Sequence, residues 1–103
     1  MTITVFGITF KPNVEDLRQS PSLDIVSRLS GRLSDSEILV VEPHVATLPV
    51  ALESAPNVRL TDIVDGTERA DIVLLLVDHD AFTTVDRERL KQKTVIDTRG
   101  FWR

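Results

Sequence analysis

The chain has 103 residues, 42% of them hydrophobic and 27% charged, the size and balance of one ordinary globular domain. A net charge of −4 argues against a general binder of nucleic acid or of an anionic membrane, which needs a basic surface, but it leaves room for a phosphate site built from two or three cations. There is no cysteine, which excludes disulfides, thiolate metal sites and a cysteine nucleophile, and no apolar run approaches the ~20 residues that span a bilayer.

Thr2 to Ile8 reads as a strand, with Ile3, Val5, Phe6 and Ile8 apolar and β-branched residues dominant. Structure thus begins almost at residue 1, which suggests a chain cut from a longer one. The first residues lack the basic segment and apolar stretch of a signal peptide, so a cytoplasmic location is expected. A loop follows from Thr9 to Gln19. Ser20-Pro21 then predicts a helix start: serine caps free amides, and proline suits the first helical position because its missing N–H costs nothing there. Leu23, Ile25, Val26, Leu29 and Leu33 fall on one side of that helix, a face suited to covering a sheet.

Glu37 to Val41 predicts a short buried strand that stops at Glu42-Pro43. His44 to Asn57, broken by Pro49 and Pro56, reads as irregular. Val58 to Leu60 is a short strand. Thr61-Asp62 can cap a brief helix to about Arg69, weakened by Gly66. Asp71 to Val77 is a continuous apolar run, as expected of a strand covered on both faces. A short helix from Asp86 to Lys91 and a strand from Thr94 to Asp97 complete the chain.

Strands alternating with helices predict an α/β fold, a three-layer Rossmann-like domain with a mostly parallel sheet of about five strands, occupying residues 1–103. Ligands of such sheets sit beyond the carboxyl ends of the strands. Those ends are Gly7 to Ser20, Glu42 to Val45, Asp78 to Phe82 and Asp97 to Arg103.

The first of these loops sets Lys11 and Arg18 beside a helix N-terminus, and lysine, arginine and the free amides of a helix all attract phosphate. On chemistry alone two readings stay open, because Glu15 and Asp16 can equally pair with Lys11 and Arg18 on a solvated loop. Elsewhere His79 is expected to make a loop hydrogen bond rather than to act as a base or metal ligand. Asp97 is expected to hold a loop or pair with Arg99, and Phe101 and Trp102 to pack on the domain or a partner surface. Glu42 stands where a Rossmann domain binds ribose hydroxyls. No G-x-G-x-x-G follows the first strand, so a complete NAD site within this chain is not expected.

The order of residues in the first loop adds a specific observation. Phe10, Lys11, Pro12, Asp16, Arg18, Ser20 and Pro21 match, in register and directly after a strand, the F-K-P-x-x-x-D-x-R-x-S-P motif that opens the C-terminal domain of the UDP-glucose/GDP-mannose dehydrogenase family. Val41-Glu42-Pro43, Ala70-Asp71 with its apolar run, Asp78-His79-Asp80-Ala81-Phe82 and Val95-Ile96-Asp97-Thr98-Arg99-Gly100 extend the resemblance over essentially the whole chain. The sequence most resembles the branch acting on UDP-N-acetyl-D-mannosamine. The resemblance implies that Phe10 and Lys11 contact a UDP-sugar, that Arg99 helps hold the UDP portion, and that Arg18 reaches NAD bound on another domain. It also implies an N-terminal NAD domain, a central dimerising region that makes the full enzyme a homo-oligomer, and an essential cysteine. None of these is in this sequence, so the chain alone is expected to show no dehydrogenase activity. The alternative is a non-catalytic α/β interaction or regulatory module. A receiver-like signalling domain has this length, but it needs an acidic pair where Thr9-Phe10-Lys11 stands.

Overall fold

The structure, a computed structural model, describes residues 1–9, 12–13 and 20–102. It contains five strands: β1 (Thr2–Phe6), β2 (Glu37–Val41), β3 (Val58–Thr61), β4 (Ile72–Leu75) and β5 (Thr94–Asp97). All pair in parallel, in the order β3-β2-β1-β4-β5. The predicted α/β class therefore holds. This is the Rossmann order through its fifth strand; a receiver-like domain runs 2-1-3-4-5.

Among the described residues the strands are connected by four α-helices, α1 (Pro21–Arg32), α2 (Val50–Glu53), α3 (Ile63–Arg69) and α4 (Arg87–Leu90), and by a 3-10 helix at Asp80–Thr84. Side-chain alternation along each strand divides the core into two layers. On one face Ile3, Val5, Ile38 and Val40 pack under Val26 of α1 and Leu52 of α2. On the other, Phe6, Val41, Val73 and Leu75 pack under Ala70, Phe82 and Leu90, beside α3 and α4. Full burial of a side chain such as Val26 contributes about 1.5–3 kcal/mol.

Several elements differ from the sequence reading. The inward face of α1 is narrower than predicted: Val26 and Ser22 are buried, but Ile25 and Leu33 are each 39% exposed. The stretch read as irregular holds α2, entered at Pro49 and pinned by the buried Leu52. β4 is shorter than its apolar run, and only its Val73 and Leu75 are buried; Ile72 and Leu74, on the α1 face, are half-buried. The connections leaving β3 and β4 both lie on the other layer, so no helix among the described residues covers this end of the α1 face.

Gly66 was expected to weaken α3. Its lack of a side chain is nevertheless required by the packing. A Cβ there would stand 2.6 Å from Val41 Cγ2 and 3.0 Å from Thr4 Cγ2, so glycine lets α3 lie directly on the sheet. Thr4 Oγ1 seals the approach by donating to the Gly66 carbonyl at 2.7 Å. Asp62 caps this helix by accepting from Asp65 N, as its sequence position suggested.

Candidate functional site at the switch point

Strand order reverses between β1 and β4: the connection leaving β1 runs to one layer and the one entering β4 comes from the other. Such a reversal opens a crevice at the carboxyl ends of the two strands. β1 leads into it through Gly7, whose φ of +93° is readily adopted only by glycine. The far end of the first loop is held by Ser20. Its hydroxyl donates to the Ile8 carbonyl at 2.7 Å and accepts from Leu23 N at 3.3 Å. One serine thus both caps α1 and closes the loop on β1.

His79 stands in this crevice, fully buried. Its Nδ1 accepts from Asn13 N at 2.7 Å. The proton therefore resides on Nε2, which donates to Glu42 Oε1 at 2.9 Å, with Thr9 Oγ1 3.2 Å away. Glu42 also accepts from the backbone of Ile8 (2.9 Å), Thr9 (3.3 Å) and His44 (3.2 Å). Burial pushes the Glu42 carboxyl up, but the His79 bond and the Ile8 and His44 amides outweigh it and hold the group below the ordinary carboxylate range. Asn13, at φ +62°, accepts from Asp80 N through Oδ1 at 2.8 Å.

The expectation of a loop hydrogen bond for His79 agrees with these contacts. Glu42, His44 and His79 do bring possible metal-ligand atoms within 4.8 Å of one another. However, Nδ1 of His79 is occupied by a backbone donor, so a metal on Nε2 would require an imidazolate. The carboxylate is likewise already engaged by three amides. The chemistry of this donor set is that of a hydrogen-bonded anchor. The same contacts test an NAD site: the carboxylate that would take ribose hydroxyls is buried and turned inward, so Glu42 does not fit that role.

Asp97 ends β5 and folds the next residues around itself, accepting from Arg99 N at 3.0 Å and Trp102 N at 2.9 Å. Burial raises its pKa, but the amides of Trp102, Phe101, Arg99 and Gly100 together hold it below the usual range. Of the two roles expected for Asp97, holding a loop is the one observed; Arg99 pairs instead with Asp78, through Nε at 3.3 Å. Trp102 packs edge-on against Phe6 and donates through its indole N–H to the Phe82 carbonyl at 3.0 Å, so it serves the domain's own core.

Of the residues singled out by the motif, Phe10, Lys11 and Arg18 lie outside the described residues. Arg99 is described, and its side chain is 48% exposed. Asn13 and Asp78 were not recognised from sequence. The Pro12-Asn13 dipeptide was a legible turn signal, whereas nothing marked Asp78 as the partner of a residue 21 positions away. The result is a shared platform: Arg99 bonds Asp78, while Asn13, two residues beyond Lys11, bonds His79 and Asp80. A groove of about 720 Å³ opens beside Val41, Glu42, Pro43, Leu60, Ile63 and Val64. Among the described residues its lining holds no cation.

Comparison with known proteins decides the family. Residues 4–103 match the model of the UDP-glucose/GDP-mannose dehydrogenase family, UDP binding domain. The chain belongs to this family. It is 47% identical over 100 residues to the NDP-N-acetyl-D-galactosaminuronic acid dehydrogenase of Ralstonia solanacearum, covering 97% of this chain and 23% of the relative. It is 42% identical over 101 residues to the UDP-N-acetyl-D-mannosamine dehydrogenase of Yersinia pestis, covering 98% and 23%. The structure of a UDP-N-acetyl-mannosamine dehydrogenase from Staphylococcus aureus superposes with a TM-score of 0.69 at 30% identity, covering 97% of this chain and 23% of that one. This UDP-glucose/GDP-mannose dehydrogenase family domain thus spans about a quarter of the length of the curated relatives it matches. No helix among the described residues is long and apolar enough to cross a membrane.

Proposed function

We propose that residues 1–103 form the UDP-sugar-binding domain of an NAD-dependent nucleotide-sugar 6-dehydrogenase. The type proposed converts UDP-N-acetylmannosamine to the corresponding uronate, as a precursor of surface polysaccharide, in the cytoplasm. Phe10, Lys11 and Arg99 contact the nucleotide-sugar, and the two cations neutralise its diphosphate and fix its register. Arg18 reaches toward NAD held mainly by an N-terminal domain. That domain, a central dimerising region and the cysteine nucleophile belong to the rest of a homo-oligomeric enzyme, so the isolated chain binds without oxidising.

The observation that carries this reading is the shared platform. Arg99 bonds Asp78 while Asn13 bonds His79 and Asp80, which supports Arg99 and Lys11 facing one ligand across the switch point. A non-catalytic interaction module would be favoured by an apolar surface at Phe101 and Trp102, but both residues are half-buried. Titration of UDP into the isotopically labelled chain tests the proposal. Amide shifts at Lys11 and Arg99 are expected; an unchanged spectrum at both positions overturns it.

A further inference from the structure

Thr9 and Asn13 flank the two residues proposed to meet the nucleotide-sugar, Phe10 and Lys11. Both flanking residues are bonded to one imidazole: Asn13 N donates to His79 Nδ1, and Thr9 Oγ1 lies 3.2 Å from Nε2. Glu42, also at Nε2, holds the backbone of Ile8 and Thr9. Asn13 returns a second bond to the 78–80 turn by accepting from Asp80 N.

We propose that His79, fixed by Glu42 as its Nε2–H tautomer, is the positioning residue of the nucleotide-sugar loop, tying together Thr9 and Asn13, which stand on either side of Phe10 and Lys11 in the chain. The inference rests on the function proposed above and adds to it a buried residue that need never touch the ligand. The physical argument is one of preorganisation. A loop tied down before the ligand arrives loses less conformational entropy on binding, so affinity rises without a new contact. The tautomer is decisive. A ring protonated at Nδ1 would set an N–H against the Asn13 N–H and release the turn. A carboxylate at Glu42, which only accepts, enforces the other form.

Two variants separate positioning from mere core filling. Asparagine at this position can still offer a side-chain oxygen near the place of Nδ1, but leaves a void beside Phe82 and His44. Phenylalanine fills the volume and offers no acceptor. His79→Asn is expected to keep UDP affinity within about threefold of the parent and to protect the Asn13 amide from exchange. His79→Phe, which leaves the Asn13 N–H without an acceptor, is expected to bind UDP about tenfold more weakly and to lose that protection, as expected for one missing hydrogen bond. Equal UDP affinity of the two variants, measured where both are folded, overturns the inference. So does a parent chain whose imidazole ¹⁵N shifts report a proton on Nδ1, a measurement needing no variant. A parent chain with the expected tautomer and amide protection that does not bind UDP would instead sink the functional reading, leaving His79 as an anchor of the turn alone.

Discussion

Gly7 and Val77 touch so closely that a single carbon on the glycine would stand 2.5 Å from Val77 Cβ and within 3 Å of its backbone N and O. The contact brings the ends of β1 and β4 together at the mouth of the site, and both Leu76 N and Val77 N donate to the Phe6 carbonyl there. Backbone atoms cannot swing aside as a flexible side chain can. With φ at +93° added, Gly7→Ala is expected to cost at least about 2 kcal/mol. Chemical denaturation of the variant checks this, and unchanged stability would contradict the close approach.

Gly66→Ala sets two effects against each other. Helix propensity gains about 1 kcal/mol, but the new methyl meets Val41 Cγ2 at 2.6 Å and Thr4 Cγ2 at 3.0 Å in the core. Overpacking of this kind costs about 1–3 kcal/mol, so a net loss is expected. Thermal melting would show a lowered midpoint, whereas a raised one would mean that propensity dominates and that α3 can lift from the sheet.

Asp97 makes stability depend on acid. Its folded-state pKa lies below the ordinary value, because the surrounding amides favour the carboxylate over the burial that opposes it. A group depressed in this way contributes stability above its unfolded pKa of about 3.9 and loses it as pH falls through the folded value. Asp97→Asn should therefore be less stable than the parent near neutrality, with the gap closing below about pH 4. A gap that persists unchanged into acid would show that the carboxylate's charge is not what the loop requires.

Arg99 should separate binding from folding. Its pair with Asp78 is largely exposed, and such pairs contribute about 0–1 kcal/mol. Arg99→Ala is expected to leave the unfolding midpoint nearly unchanged while lowering UDP affinity at least about tenfold, the scale of a lost charged hydrogen bond. Arg99→Lys should recover part of that affinity, since it restores the charge but not the planar fork. Equal affinity in parent and alanine variant, by calorimetry, would remove Arg99 from the site.

Local sequence determined most of the elements. Ser20-Pro21 marked the start of α1, Asp62 that of α3, and the apolar runs marked the strands, because caps and periodicity are set by residues within a turn or two of each other. The first-loop motif likewise pointed to the family. What the sequence left open was set by contacts across about 20 to 70 positions. These include the order of the strands, the reason Gly66 must lack a side chain, and the enclosure of Glu42 and His79 between the first loop and the turn after β4. A glutamate before a proline and a histidine after an aspartate carry no local signal of each other. Only folding, which removes both from water and leaves each as the other's hydrogen-bond partner, decides that they anchor a loop rather than meet a ribose or a metal.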